Sequence, residues 1–249
     1  MKLIMTGVTG AAGSQMYLAA LADPAVTHIT VLARRALPDW IPRPTASERP
    51  SVDVEVVSDF LKYPADLSSR LAEHDACIWA LGRSAVGVSE EEYIKFTYGY
   101  VAHAVDALQE GGVATKKTAE DPFRFVFVSG EGANQDETKT RQMFGRVKGR
   151  TEKMLTSLPA SSGISASIMR PSYFFPSHAP FRQHTRGASA RAADTVLGPL
   201  LKTLAPGLYT PVDQMGKFAV ELAKGRWGEE TLFDNKRMRE LYKTMDQTA

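Results

Sequence analysis

The sequence predicts an α/β chain: one doubly wound parallel sheet, with a small C-terminal segment lying over one end of it. Three observations carry that expectation. An apolar run of strand character, Met1 to Thr6, leads straight into Gly7, Gly10 and Gly13, and a stretch of helical character follows from Met16 to Leu21. Further strand-like runs alternate with helical patterns, as parallel strands joined by crossover helices require. One run, Asp75 to Leu81, is nearly all apolar, which suits a central strand buried on both faces.

The glycine turn is the first candidate site. Glycines there permit a tight turn, a close approach of backbone to a pyrophosphate, and close packing of helix on strand. The helix start adds free N–H groups and the positive end of its dipole. Gly7, Thr9, Gly10, Ala11, Ala12 and Gly13 are therefore candidate dinucleotide-binding residues; the plain alternative is a glycine-rich turn that binds nothing. A second strand, Ala25 to Leu32, ends in Ala33-Arg34-Arg35. Roughly 20 residues past a glycine turn, an acidic residue would hold the ribose of NAD. Two arginines stand at that place instead, and guanidinium forks bind a 2′-phosphate that a carboxylate would repel. Arg34 and Arg35 thus favour NADP(H), unless they only solvate a loop.

Residues 36 to 51, rich in Pro, Ser and Arg, read as a surface loop. Val52 to Val57 is a third strand, and Asp59 and Phe60 after it offer a carboxylate and a ring to an adenine; a plain turn fits equally well. Ala65 to Leu71 has helical spacing. Ala80 and Leu81, closing the fourth strand at Asp75 to Leu81, and Gly82-Arg83-Ser84 after it border the cofactor, since ligands sit at the carboxyl ends of such strands. Ser89 caps a long helix to Gln109, stopped by Gly111-Gly112; on it, Tyr93, Tyr98 and His103 suit packing or exposure better than catalysis.

Arg124 to Val128 is a fifth strand running into Ser129-Gly130-Glu131-Gly132-Ala133. A helix covers Met143 to Leu155, and a sixth strand, Ile164 to Met169, precedes Arg170-Pro171-Ser172. Beyond it, prolines with His178 and His184 punctuate a stretch of little periodicity, followed by helices over Ala193 to Leu204 and Val212 to Lys224 and a polar C-terminal helix. With no repeat and no dividing linker, residues 1–249 read as one domain, with 171–210 as a substrate cap. Tyr173, Phe174, Phe175 and Phe181 in that cap suit an aromatic ligand, or simply pack it onto the sheet.

Composition excludes several classes. Of 249 residues, 43% are hydrophobic and 23% charged, which is globular rather than disordered. A net charge of +2 is too small to argue for nucleic acid. The single cysteine, Cys77, precludes internal disulfides and a cysteine zinc cage, and its apolar neighbours suggest a buried thiol. The five histidines form no pair at i, i+4, so no metal site is expected. No run is long enough to span a bilayer, and the apolar start belongs to the first strand, so a cytosolic location is the expectation. Neither Ser129 nor Ser84 has the glycine spacing of a nucleophile elbow. Nothing marks an oligomeric state.

The glycine turn, the arginines after the second strand, Asp59, Val128-Ser129, Lys148 and Arg170-Pro171 together resemble the atypical single-domain branch of the short-chain dehydrogenase/reductases. The stretches Cys77 to Gly82, Glu91 to Lys95, Phe127 to Ala133 and Phe144 to Gly149 are similar to fungal oxidoreductases of polyketide pathways, of the aflatoxin and anthraquinone type. The resemblance implies a Rossmann fold, NADP(H) contacted also by Lys148 and Pro171, and chemistry built on Tyr-x-x-x-Lys with a serine. In that scheme the lysine holds the nicotinamide ribose and lowers the phenol's pKa, and the tyrosine moves the proton that accompanies hydride transfer. Lys148 fills the lysine slot, but Phe144 stands where the tyrosine belongs, and Gly130 where the second serine of the strand end would be. Ser129 and Tyr173, with Lys148, are then the candidate catalytic groups, and Tyr98 and Glu131 could also reach the site. Three readings follow: redox chemistry with another proton source, non-redox acid–base chemistry beside a structural cofactor, or sensing of NADP(H) without catalysis.

Overall fold

The computed structural model describes residues 1–45, 48–175, 179–185 and 187–245. Seven parallel strands form one sheet: β1 (Lys2–Thr6), β2 (His28–Ala33), β3 (Ser51–Val56), β4 (Ala76–Trp79), β5 (Phe123–Val128), β6 (Ile164–Arg170) and β7 (Leu232–Asp234), in the order β3-β2-β1-β4-β5-β6-β7. The chain winds outward from β1 to β3, then returns to β4 and winds the other way. The carboxyl ends of β1 and β4 therefore flank a topological switch point, where open α/β sheets bind ligands.

Helices pack on both faces; those of the described residues are α1 (Ala11–Ala22), α2 (Ala65–Leu71), α3 (Glu90–Ile94), α4 (Tyr100–Glu110), α5 (Val113–Lys116), α6 (Met143–Thr156), α7 (Ala179–Thr185), α8 (Ala188–Leu204), α9 (Val212–Ala223) and, after the last strand, α10 (Asn235–Met245). Alternate side chains of each central strand go to opposite faces. Leu3 and Met5 of β1 and Ile78 of β4 pack with Met16 and Tyr17 of α1 and with Met215 and Phe218 of α9. Ile4 of β1 and Cys77 and Trp79 of β4 pack with Val101 and Val105 of α4. Burial on both faces makes β4 the apolar run seen in the sequence. It also leaves Cys77 wholly inside, its thiol pKa pushed up by desolvation.

The structure corrects several boundaries. Six strands are expected and seven are present: β7 has three residues and only Phe233 buried, too little to register as a pattern. It pairs with β6 from Ile168–Leu232 to Arg170–Asp234 and precedes the polar helix α10. Strand β2 begins at His28 rather than Ala25, because Asp23 accepts from the amides of Ala25 and Val26 and closes a turn first. The long helix after Ser89 is interrupted by a π stretch, Lys95–Gly99, between α3 and α4. Helix α7 lies in the stretch of little periodicity, and α8 starts at Ala188 and carries Pro199 inside it. His178 falls outside the described residues.

Candidate functional site

The first βα corner is shaped by backbone. Gly7 has φ +71°, and a Cβ there would lie 2.4 Å from the carbonyl oxygen of Ala80. A Cβ on Gly13 would lie 2.1 Å from the Gly7 carbonyl, so both positions exclude any other residue. Gly10 is different: its amide donates to the Gly7 carbonyl at 2.8 Å, and a Cβ would meet only that oxygen, at 3.2 Å. Its outer side is open. Helix α1 starts there with Gly10 at its N-cap, no side-chain cap and no acid in its first turn. Its first N–H groups and dipole are left for an anion, so the corner fits a diphosphate. Thr9 is exposed beside it, and the Leu81 amide donates to Thr6 Oγ1 at 3.1 Å, fastening the exit of β4 to β1.

A cleft of about 790 Å³ runs from Gly10, Ala11 and Ala12 past Ala80 and Gly82 to Val128, Ser129, Lys148 and Pro171. Tyr173, Phe174 and Thr185, from the region after β6, line its far side. A smaller hollow of about 170 Å³ adjoins it at Gly82 and is lined also by Arg34, Leu81, Arg83, Phe96 and Tyr100. The sequence pairs Arg34 with Arg35; the structure places Arg34 with Arg83, which lies 5.9 Å from the Phe96 ring centroid, while Arg35 is exposed and lines neither space. The sequence expects Arg83, with Gly82 and Ser84, to border a cofactor at the end of β4, but does not pair it with Arg34.

Beyond β3, Asp59 accepts from the Leu61 amide at 3.1 Å and closes a turn. Phe60 needs correction: its ring is fully buried and packs edge-on against Trp79 at 5.8 Å, so it offers no face to an adenine. An apolar ring four residues past the end of β3 points into the core instead of the cleft.

At the other end of the cleft, α6 presents Phe144, Lys148 and Glu152 at successive i, i+4 positions on one face. The Lys148 ammonium donates to the Val128 carbonyl at 2.8 Å and lies 4.7 Å from the Phe127 ring centroid. Burial pushes its pKa down to about 8, against the pull of the Glu152 carboxylate. Glu152 is wholly buried. It accepts from Ser129 Oγ and from the Arg170 guanidinium, whose Nε is 3.0 and 3.2 Å from its two oxygens. This network ties α6 to the ends of β5 and β6, and Glu152 raises the Arg170 pKa in turn. Ser129 therefore lines the cleft with its hydroxyl donated away from it.

Of the other expected proton carriers, Tyr173 donates its hydroxyl to Asp194 of α8, and Tyr98 lies beneath Arg150, 4.5 Å from its guanidinium carbon, outside the cleft lining. Glu131 is exposed on the cleft. Among the cap rings, Phe181 is buried against Trp40 and belongs to the core, whereas Tyr173 and Phe174 line the cleft.

Phe144 and Gly130 turn out to be coupled. A Cβ on Gly130 would lie 2.7 Å from Phe144 Cζ and 3.6 Å from both Cε atoms. The equal Cε distances put that Cβ on the para axis of the ring. The ring tip thus occupies the space a side chain at position 130 would need. A hydroxyl on Cζ would project a further bond length toward the same backbone, inside van der Waals contact. The glycine and the phenyl ring are two halves of one apolar contact.

A parallel sheet of this order, with a glycine corner feeding α1 and a helix-borne lysine at the far end of the cleft, has the fold seen in solved short-chain dehydrogenase/reductase structures. Solved structures agree on the fold. The chain is similar to the Pseudomonas aeruginosa RhlG/NADP active-site complex, with a TM-score of 0.62 at 17% identity over 95% of this chain and 96% of that one. It is similar also to a Burkholderia thailandensis oxidoreductase of the short-chain dehydrogenase/reductase family, with a TM-score of 0.65 at 15% identity over 96% and 92%. No family model matches the sequence.

Sequence relatives are fungal. Botcinic acid biosynthesis cluster B protein 16 of Botryotinia fuckeliana is 34% identical over 112 residues, 41% of this chain and 68% of that protein. Leucinostatins biosynthesis cluster protein T of Purpureocillium lilacinum is 29% identical over 158 residues, 64% of this chain, which spans about half (52%) of that protein's length. Protein fmp52, mitochondrial, of Emericella nidulans is 28% identical over 224 residues, 88% of this chain and 85% of that one. The chain belongs to the same family as the botcinic acid cluster protein, 68% of which it covers at 34% identity. Among the described residues, no helix is long and apolar enough to cross a membrane.

Proposed function

We propose that the chain is an NADP(H)-dependent reductase of an aromatic, polyketide-derived acceptor, and that the acceptor is a quinone or similarly activated carbonyl rather than a simple ketone. The observation that carries the reading is the single cleft joining the glycine corner to Lys148. Gly7, Thr9, Gly10, Ala11, Ala12 and Gly13 would hold the diphosphate; Arg34 and Arg83, with Arg35 outside the hollow, would select the 2′-phosphate. Ala80, Leu81, Gly82 and Pro171 would flank the remainder, and residues 171–210 would cover the substrate. Once bound, the cofactor supplies hydride.

The proton is where this chain departs from its fold family. Phe144 has none to give, and the hydroxyls of Ser129 and Tyr173 are committed to Glu152 and Asp194. Reduction of a simple ketone would leave a strongly basic alkoxide facing an apolar floor. Reduction of a quinone leaves a phenolate-type anion, stabilised through its ring and tolerable until solvent protonates it. The buried Lys148 ammonium, poised near pH 8, supplies positive charge beside the developing anion. The exposed Glu131 carboxylate on the cleft favours a second reading, acid–base isomerisation or ring opening beside a structural cofactor.

NADPH consumption with 1,4-naphthoquinone and with acetophenone separates these readings. Turnover of the quinone and not of the ketone is the expected result. No consumption with either, while NADPH binds, would overturn the reductase reading in favour of the second.

A further inference from the structure

Among the described residues, four large hydrophobic side chains stand exposed: Val56, Val86, Leu204 and Leu208. Val86 is the most exposed, at 88%, and of the four it alone lines the cleft. A single apolar side chain on an open surface needs no explanation. One held out into a concave site stands where the apolar face of a ligand would land.

Val86 belongs to residues 82–88, the segment between β4 and α3. Gly82 and Arg83 line both the small hollow and the larger cleft, whereas Ser84, Ala85 and Val86 line the cleft alone. The segment thus leaves the hollow at Arg83 and runs on along the cleft that also holds Phe144, Tyr173 and Phe174. Its only hydrogen bond among the described residues is internal, from the Val86 amide to Ser84 Oγ at 3.2 Å. Gly87 follows with φ +72°, and a Cβ there would meet nothing within 4 Å. Val86 packs with neither hydrophobic core. Its own turn, not packing, holds the valine out, and a tip met only by water would suit Asn, Asp, Ser or Gly better.

We propose that Val86 is an acceptor-contact residue: the apolar tip of the segment between β4 and α3 lies against the ring of a planar aromatic ligand in the cleft and sets how tightly that ring is held. The inference rests on the cleft being the acceptor site proposed above, and not on hydride transfer. It divides one short segment by task, with Arg83 turned to the cofactor's phosphate and Val86 to the acceptor. The contact is made to the ring and not to a carbonyl, so it is indifferent to the ligand's polar groups.

The test titrates wild type, Val86→Ser and Val86→Leu with 1,4-naphthoquinone and with naphthalene, without cofactor and again with NADP⁺. Val86→Ser is expected to bind both ligands roughly five- to tenfold more weakly than wild type, as the loss of two buried methyl groups implies, and Val86→Leu at least as tightly as wild type. NADP⁺ affinity and melting temperature are expected to stay level in both variants, because the side chain is exposed and lies outside the hollow. Equal ligand affinities in the three proteins, a loss confined to the quinone, or no binding of either ligand to the wild type would each overturn the assignment. So would a parallel fall in NADP⁺ affinity or melting temperature, which would make the valine a structural residue. A smaller sedimenting species for Val86→Ser with unchanged ligand affinity would place the valine against a second copy of the chain, and overturns it as well. If NADPH turnover fails while the affinity pattern holds, the reductase reading falls and the contact stands. If turnover holds with equal affinities, the reverse follows.

Discussion

Replacing Gly130 by serine probes the floor of the cleft. In the structure the new Cβ would start 2.7 Å from Phe144 Cζ, closer than side-chain carbons approach, so the ring must move. Phe144 is half-buried and lines the cleft, which gives its ring somewhere to go. The cost then sits at the low end of the 1–3 kcal/mol typical of overpacking, about 1 kcal/mol, or a fall of roughly 2–4 °C in melting temperature for a chain of this size. Gly130→Ser/Phe144→Ala removes the colliding ring, so the serine should cost almost nothing in that background. The same geometry sets the expectation for Phe144→Tyr alone: the phenol cannot take the present ring position, and simple ketone reduction does not appear. Thermal unfolding of the four proteins in the cycle gives the coupling directly. If Gly130→Ser costs the same with and without the Phe144 ring, the two residues are independent and the paired account of the floor is wrong.

Two further outcomes follow from buried charge. His74 Nε2 lies 2.8 Å from Thr30 Oγ1, and burial holds its pKa at about 4, below the ordinary 6.5. The unfolded chain binds that proton first, so stability present above pH 6.5 is lost as pH falls toward 4, by about 3 kcal/mol; urea unfolding at pH 7.5 and 4.5 should show the loss, and His74→Gln should reduce it. Glu152→Ala leaves the half-buried Arg170 without its carboxylate and should cost about 3–5 kcal/mol by denaturant unfolding, far more than a solvent-exposed ion pair such as Lys139–Asp136.

The parts of the molecule that repeat a local rule were legible from residues alone. A strand, three glycines and a helix start specify the first corner because backbone closeness leaves no other residue possible at Gly7 and Gly13. Strand β4 announced itself because burial on both faces demands an unbroken apolar run. Strand β7 did not, since three residues with one buried phenylalanine carry no period. Side-chain direction was the other blind spot. Phe60 stands one residue past Asp59, yet one serves the core and the other a turn. Ser129 was placed correctly in the chain, but its hydroxyl direction depends on Glu152, 23 residues away. The partnership of Arg34 with Arg83, and of Phe144 with Gly130, exists only after strands far apart in sequence are brought side by side.

Calorimetric titration of the wild type, Arg34→Ala and Arg83→Ala with NADPH and NADH bears most directly on the whole account. The wild type should bind NADPH at least about tenfold tighter than NADH, and each substitution should remove most of that preference while changing NADH affinity little, since a charged hydrogen bond contributes about 1.5–3 kcal/mol. Equal affinities for the two cofactors, or binding of neither, would contradict it.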